Sequence, residues 1–189
     1  MSLTLIIVLA ILALLVLYAA AVYNNLVRLK HTVGKAWSNI DVSLKQRHDE
    51  LPKLVAVCKE YMRYEQDTLE RVVRARGEVF AAQHRGDLRG LGSAETDLRI
   101  GLGQLFALAE NYPQLKANEH FQQLSGRISQ LEDTIADRRE LYNESVNLNN
   151  IRLQQLPDVF IARMFGFKAF DLLEFKAARA DVDISGLFA

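Results

Sequence analysis

A chain of 189 residues with 23 basic and 23 acidic side chains carries no formal net charge at neutral pH, which removes the electrostatic case for a nucleic-acid or acidic-substrate partner. Its single cysteine, Cys58, excludes an intrachain disulfide framework and a cysteine-rich zinc site. Ten glycines and three prolines are sparse punctuation for this length, so long helices are implied.

The first element is Leu3 to Tyr23, LTLIIVLAILALLVLYAAAVY, a run of twenty-one residues without a charge, a proline or a glycine. At about 1.5 Å per residue it covers roughly 30 Å, the hydrocarbon thickness of a bilayer. Leu3, Leu5, Ile6, Leu9, Leu12, Leu15 and Tyr23 are therefore assigned to a membrane span. Arg28, Lys30, Lys35 and Lys45 follow it, with Asp41 the only acid before Lys45. The positive-inside bias then predicts the N-terminus outside and the remainder in the cytoplasm. Ala19-Ala20-Ala21 also fits the small-residue pattern of a signal-peptide cleavage site, but the basic n-region that such a peptide needs is missing.

Beyond the span, about 165 residues suffice for one domain with a real core. The series Val33, Trp37, Ile40, Leu44, His48, Leu51, Val55, Cys58, Met62, Glu65, Leu69, Val72, Arg76 and Val79 advances by three or four residues throughout, the spacing of one helix face. Pro52 interrupts it chemically but not in phase, which predicts one helix over 24–84, continuous with the span and kinked at Pro52. The alternative is two helices broken near Asp49 to Pro52. His84 to Ser93 reads as a loop, with Ser93 as a cap for a second helix over 94–111 that carries Leu98, Leu102, Leu105 and Ala109. Gly101 and Gly103 weaken this helix unless their small size admits a close neighbour. A third helix starts from a cap at Asn118 and runs to about Leu156. Its stripe is Phe121, Leu124, Ile128, Leu131, Ile135, Arg138, Tyr142, Val146, Asn149, Leu153 and Leu156. The predicted fold is all-α: a transmembrane anchor over 1–23, an antiparallel bundle of three long helices over 24–156 (four in the alternative), and an aromatic-rich tail over 157–189.

Polar residues fall on these stripes. Glu65 and Arg138 would be costly if buried alone, so the expectation is either a solvated seam or pairing of Glu65 or Asp49 with Arg138 or Arg139, with Asn149 fixing register. His48 reads as a packed core histidine and Cys58 as a small buried hydrophobe. Groups that carry chemistry are missing. The chain has no Glu-x-x-His pair, and His31, His48, His84 and His120 lack metal spacing. Neither a glycine-rich phosphate loop nor a nucleophile elbow occurs. No catalytic residue, metal or cofactor is assigned, and the chain is read as a non-enzyme.

Six of the nine phenylalanines lie in the tail. A first helix of some sixty residues reaches about 90 Å, which leaves the tail far from its own bilayer. On that topology Phe160, Phe165, Phe167, Phe170 and Phe175 are oligomer-contact candidates, whereas a broken first helix returns the tail to the lipid. The excess of Asp158, Asp171, Glu174, Asp181 and Asp183 over Arg163, Lys168, Lys176 and Arg179 also disfavours anionic lipid.

YNNLV at 23–27, AWSNIDVSLKQRHDELPKLV at 36–55, ENYPQLKANEHFQQL at 110–124, RRELYNESV at 138–146 and PDVFIARMFGF at 157–167 resemble, in order and across nearly the whole chain, the successive fingerprints of the bacterial LemA family. Gln46 and Glu50 depart from the pattern, where a second basic residue and a hydrophobe are expected. The tail after Phe167 is less typical. The resemblance implies a single-pass protein of the bacterial cytoplasmic membrane, N-terminus outside and helical bundle inside, without established enzymatic activity. The expected function is a membrane-anchored structural protein that self-associates into a large homo-oligomeric scaffold, with the lipid bilayer and its own copies as partners. The alternative is a membrane-tethered adaptor that presents its bundle to another membrane protein.

Overall fold

The computed structural model describes residues 2–175. These form six helices: α1 (Leu3–Tyr61), α2 (Gln66–Arg85), α3 (Leu88–Ala109), α4 (Pro113–Lys116), α5 (Glu119–Gln154) and α6 (Asp158–Met164). The protein is all-α, and the apolar N-terminal segment continues without a break into the bundle, as expected. The large hydrophobics from Leu3 to Leu17 are about half exposed or more, and only 6% of the most apolar window, of mean hydropathy 3.1, is buried. Such a helix is no soluble core element; it matches a bilayer in length and surface and gives the protein a membrane location.

The described residues divide into two compact units, one of residues 2–40 with 138–172 and one of residues 41–137 with 173–175. Both α1 and α5 contribute to each. In the second unit α1, α2, α3 and α5 form an up-down-up-down bundle. Gln83 donates to Asp41 and Arg76 to the His48 carbonyl, Arg71 donates to Gln104, and Asn118 donates to Tyr61. Each pairing joins antiparallel neighbours. Leu44, Leu51, Leu54 and Cys58 of α1 and Met62 just after it are buried, as are Leu69 and Val72 of α2, Leu98 and Leu105 of α3, and Ile128 and Ile135 of α5, which together supply the core of this unit. Each fully buried leucine contributes about 2 kcal/mol of burial.

The predicted helix over 24–84 is corrected in one place. α1 passes through Pro52 and ends instead at Tyr61, with a turn over 62–65. The chain reverses around the buried Met62, whose N–H closes the last turn onto the Cys58 carbonyl, while Glu65 N–H returns to the Met62 carbonyl. Two side-chain bonds hold the corner, Asn118 to the Tyr61 hydroxyl at 3.1 Å and the Tyr112 hydroxyl to Glu65 at 3.3 Å. No glycine or proline marks it.

The loop expected over 84–93 is also shorter. α2 closes on Gly86 in the left-handed region (φ 65°), and Asp87, not Ser93, caps α3 by accepting from Gly90 N–H at 2.9 Å. The glycines that follow serve approach rather than turning. A Cβ on Gly92 would overlap the Glu174 carbonyl, and one on Gly101 would meet Val72 at 3.4 Å, so α2 and α3 pack closely there; Gly103 has open space around it. Asn118 caps α5 as predicted, accepting from Phe121 N–H at 3.1 Å.

Candidate functional site

In the first unit the end of the apolar segment is met by α6. Val22 and Leu26 of α1 and Ala162 of α6 form a buried cluster, with Leu153, Ile161 and Phe167 packed against it. The Tyr18 hydroxyl donates to Asp158 Oδ1 at 3.4 Å, and the other carboxylate oxygen pairs with Arg152. Asp158 is buried, so the pair removes a charge that would otherwise stand alone in an apolar setting. Tyr23 packs its ring against Phe165 at 4.8 Å and Phe167 at 5.8 Å, tilted and edge-on arrangements that suit aromatic quadrupoles. Gly166, at φ 69°, turns the chain out of α6, and Phe167 N–H closes back on the Ala162 carbonyl.

From there the chain runs back along α5. Asn150 donates through Nδ2 to the Phe170 carbonyl at 2.8 Å and accepts from Phe170 N–H at 3.0 Å, and Tyr142 donates to the Asp171 carbonyl at 3.0 Å. One asparagine thus satisfies both backbone groups of a residue that has no helix to pair with. Burial and the nearby Asp171 raise the Tyr142 hydroxyl above its usual pKa, keeping it a donor.

The second unit holds a charge cluster in its core. Arg47 of α1 is almost wholly buried and bridges Glu95 of α3 through Nη2 and Glu132 of α5 through Nη1. Arg99 reaches Glu132 from the surface side at 3.6 Å. Burial alone would push the guanidinium down, but its two carboxylates outweigh that and raise it, so Arg47 stays charged. For Glu95 burial wins over the attraction of Arg47, and its carboxyl is raised. One guanidinium spans three helices, so the cluster is suited to fixing their register rather than to proton transfer. Nearby, Arg76 Nη2 lies 2.7 Å from His48 Nε2 and Phe80 stacks on the imidazole at 4.6 Å; burial and the Arg76 charge lower the His48 pKa.

The polar residues singled out from the sequence have local partners. Glu65 accepts from Tyr112, Arg138 donates to the Asn39 carbonyl at 2.6 Å, and the buried Asn149 donates to Asn150 at 3.2 Å. Asp49 lines a groove with His48, Phe80 and His84, and Arg139 sits on α5. Of the tail phenylalanines, Phe160 and Phe165 are exposed, while Phe167, Phe170 and Phe175 are half-buried within the chain. The expected distance between tail and bilayer is overturned, because Phe165 and Phe167 touch Tyr23 at the end of the span. The turn at Met62 adds a fourth long helix, which sends α5 back toward the anchored end.

The Arg47 cluster was missed for a reason of phase. From Leu44 to Leu51 the core face is reached by His48 or by Arg47 with steps of three and four in either order, and hydrophobicity does not choose between them. Glu95 stands three residues before Leu98 and Glu132 four after Ile128, so the extended stripes carried the signal.

Comparison with known proteins places this architecture. The LemA family model matches residues 36–185. Two proteins of Paramagnetospirillum magneticum (strain ATCC 700264 / AMB-1), magnetosome proteins MamQ 2 and MamQ 1, are each 24% identical over 179 residues, covering 82% of this chain and 66% of theirs. Magnetosome protein MamQ of Magnetospirillum gryphiswaldense is 28% identical over 90 residues, 48% of this chain and 33% of that protein. The chain thus spans just under two thirds of the length of the first two relatives.

Proposed function

The chain belongs to the LemA family, and from that premise we propose that it is a non-enzymatic structural protein whose copies stand side by side in one membrane and self-associate through their helices. The N-terminus lies outside and the helical units in the cytoplasm, on the strength of the basic residues that follow the span.

One observation carries the self-association. On α5 the exposed residues Leu141, Leu148 and Ile151 share one face with Glu144, in steps of three, four and seven, opposite the buried Tyr142, Val146 and Asn149. That is heptad spacing on a helix whose inner face is already filled, the pattern of a second, intermolecular seam. Three hydrophobics make a weak seam in free solution. Anchoring in a common membrane raises the effective concentration of neighbouring copies and makes such a contact sufficient.

Particle size of the full-length protein in mild detergent tests this, by light scattering and negative-stain imaging, beside Leu141→Glu with Leu148→Glu. Large uniform particles that collapse in the double variant are expected. Small particles in both proteins refute self-association and leave the adaptor reading. That second reading has its own observation, a groove of about 650 Å³ at the α1–α2 corner, where Lys59, Arg63 and Arg74 surround Met62, Leu69 and Val73 with Glu70 the only acid. An acidic, partly apolar segment of another protein fits such a lining.

A further inference from the structure

We infer that α6 is a membrane-interface element: its outer face enters the boundary between headgroups and acyl chains beside the span of its own chain. This goes beyond self-association and rests on the membrane anchor alone.

The height of α6 follows from its contacts. Asp158 at its first turn bonds Tyr18, and Ala162 packs on Val22 and Leu26, so the helix lies level with the last residues of the apolar segment and the first after it. Tyr18 and Tyr23 are about 7 Å apart along the helix axis, the depth over which tyrosine is enriched at membrane interfaces. At that level the face of α6 turned away from α1 is apolar. Phe160 and Met164, four residues apart on α6, are 65% and 69% exposed, and Leu156 just before the helix and Phe165 just after it are 76% and 54% exposed. A monomer in water does not keep four large side chains so bare in one patch without a partner.

Continuity with the exposed apolar surface of α1 selects lipid as that partner. The charges of the region are compatible with that partner: Arg163, exposed three residues after Phe160, carries its guanidinium on a long apolar stem that reaches the headgroups. Asp158 is turned inward onto Tyr18 and Arg152, and the chain after α6 carries Lys168 into a groove of about 510 Å³ that it shares with Lys30, His31 and Asn149. Apolar side chains outward and cations one step further from the span are the two layers that an interfacial segment presents to a bilayer. The acidic excess of the tail does not oppose this. Asp158 is buried, and Asp171 belongs to the segment after α6 that Tyr142 and Asn150 hold along α5.

Environment-sensitive fluorescence of the full-length protein in phospholipid nanodiscs decides the matter. Bimane is attached in a Cys58→Ala background at Phe160→Cys, Met164→Cys, Leu12→Cys and Tyr64→Cys, one site at a time. The label at positions 160 and 164 should lose most of its emission to lipids carrying a nitroxide near the top of the acyl chain and be shielded from aqueous iodide. The fully accessible position 64 should behave in the opposite way, and position 12 should respond to a nitroxide deep in the chain. Iodide quenching at 160 equal to that at 64, with 12 still quenched by lipid, overturns the inference and spares the anchor. Shielding of 160 from both quenchers also overturns it and assigns the face to a second copy of the chain. Absence of lipid quenching at 12 removes the span, and the inference with it.

Discussion

Replacing Arg47 by methionine tests whether the buried ion cluster organises the bundle. The substitution keeps the length of the aliphatic stem and removes the guanidinium, leaving Glu95, fully buried on α3, without its ion-pair partner, while Glu132 retains Arg99. Removing one partner of a buried pair costs about 3–5 kcal/mol. Protonation of Glu95, whose carboxyl is already pushed up by burial, limits the loss, so the lower end of about 3 kcal/mol applies at neutral pH. For a protein of this size each kcal/mol moves the melting temperature by about 2–4 °C, which gives a fall of about 6–12 °C.

Circular-dichroism melts of the full-length protein in mild detergent measure it, at pH 7.5 and pH 5. The sign is fixed by linkage. A carboxyl with a raised pKa in the folded state binds its proton more tightly there than in the unfolded chain. Its contribution therefore falls as pH rises through the folded value and recovers as pH drops toward the ordinary carboxylate range. The Arg47→Met deficit should shrink at pH 5, and adding Glu95→Gln to Arg47→Met, which removes the uncompensated buried charge, should recover part of the loss at pH 7.5. Arg47→Met melting like wild type at pH 7.5, or an equal deficit at both pH values, refutes the assignment of a desolvated Glu95 to the core.

Other consequences follow from the same packing. Gly92→Ala sets a methyl group against the Glu174 carbonyl and should cost about 1–3 kcal/mol, with limited proteolysis near Leu173 accelerated; an unchanged cleavage rate refutes the close approach. The Cys58 thiol is fully buried and pushed up to about 11 by burial, so at pH 8 a maleimide should modify it only at the rate at which the bundle opens, and rapidly in urea. His48 faces Arg76, Asp49, His84 and Arg47, and its lowered pKa means that stability is lost as pH falls from about 6.5 through the folded value. Melts of His48→Gln across that window should show a flatter pH dependence than wild type.

Helix periodicity reports which face of a helix is inside and is silent on where a helix stops when no residue type announces it. The core face of the first helix runs Cys58, Met62, Glu65, Leu69 without losing phase, so the reversal at Met62 was invisible, and Pro52, the chemically conspicuous residue, lies inside an unbroken helix. Asn118 was legible as a boundary, because a side-chain cap needs particular chemistry, whereas Gly86 was read only as part of a longer loop. Gly92 mimicked a loop because glycine meets two needs, turning and close approach, and only the neighbour Glu174, more than eighty residues along the chain, tells which applies.

The same ambiguity governs the candidate surfaces. A residue on a stripe is inside, but a residue off it is outside only with respect to one partner. Leu141, Leu148 and Ile151 stand off the stripe of α5 and look like scattered surface hydrophobics until the filled inner face is known. Phe160 sits on a helix of only seven residues and Phe165 just beyond it, too little for a stripe in the sequence, and their place was set by a single topological fact, the number of long helices between the anchor and the tail. With the turn at Met62 the tail arrives at Tyr18 and Tyr23. The missing turn therefore moved the aromatic residues from the lipid to a neighbouring subunit, which makes the location of one unmarked corner the determinant of what this end of the protein touches.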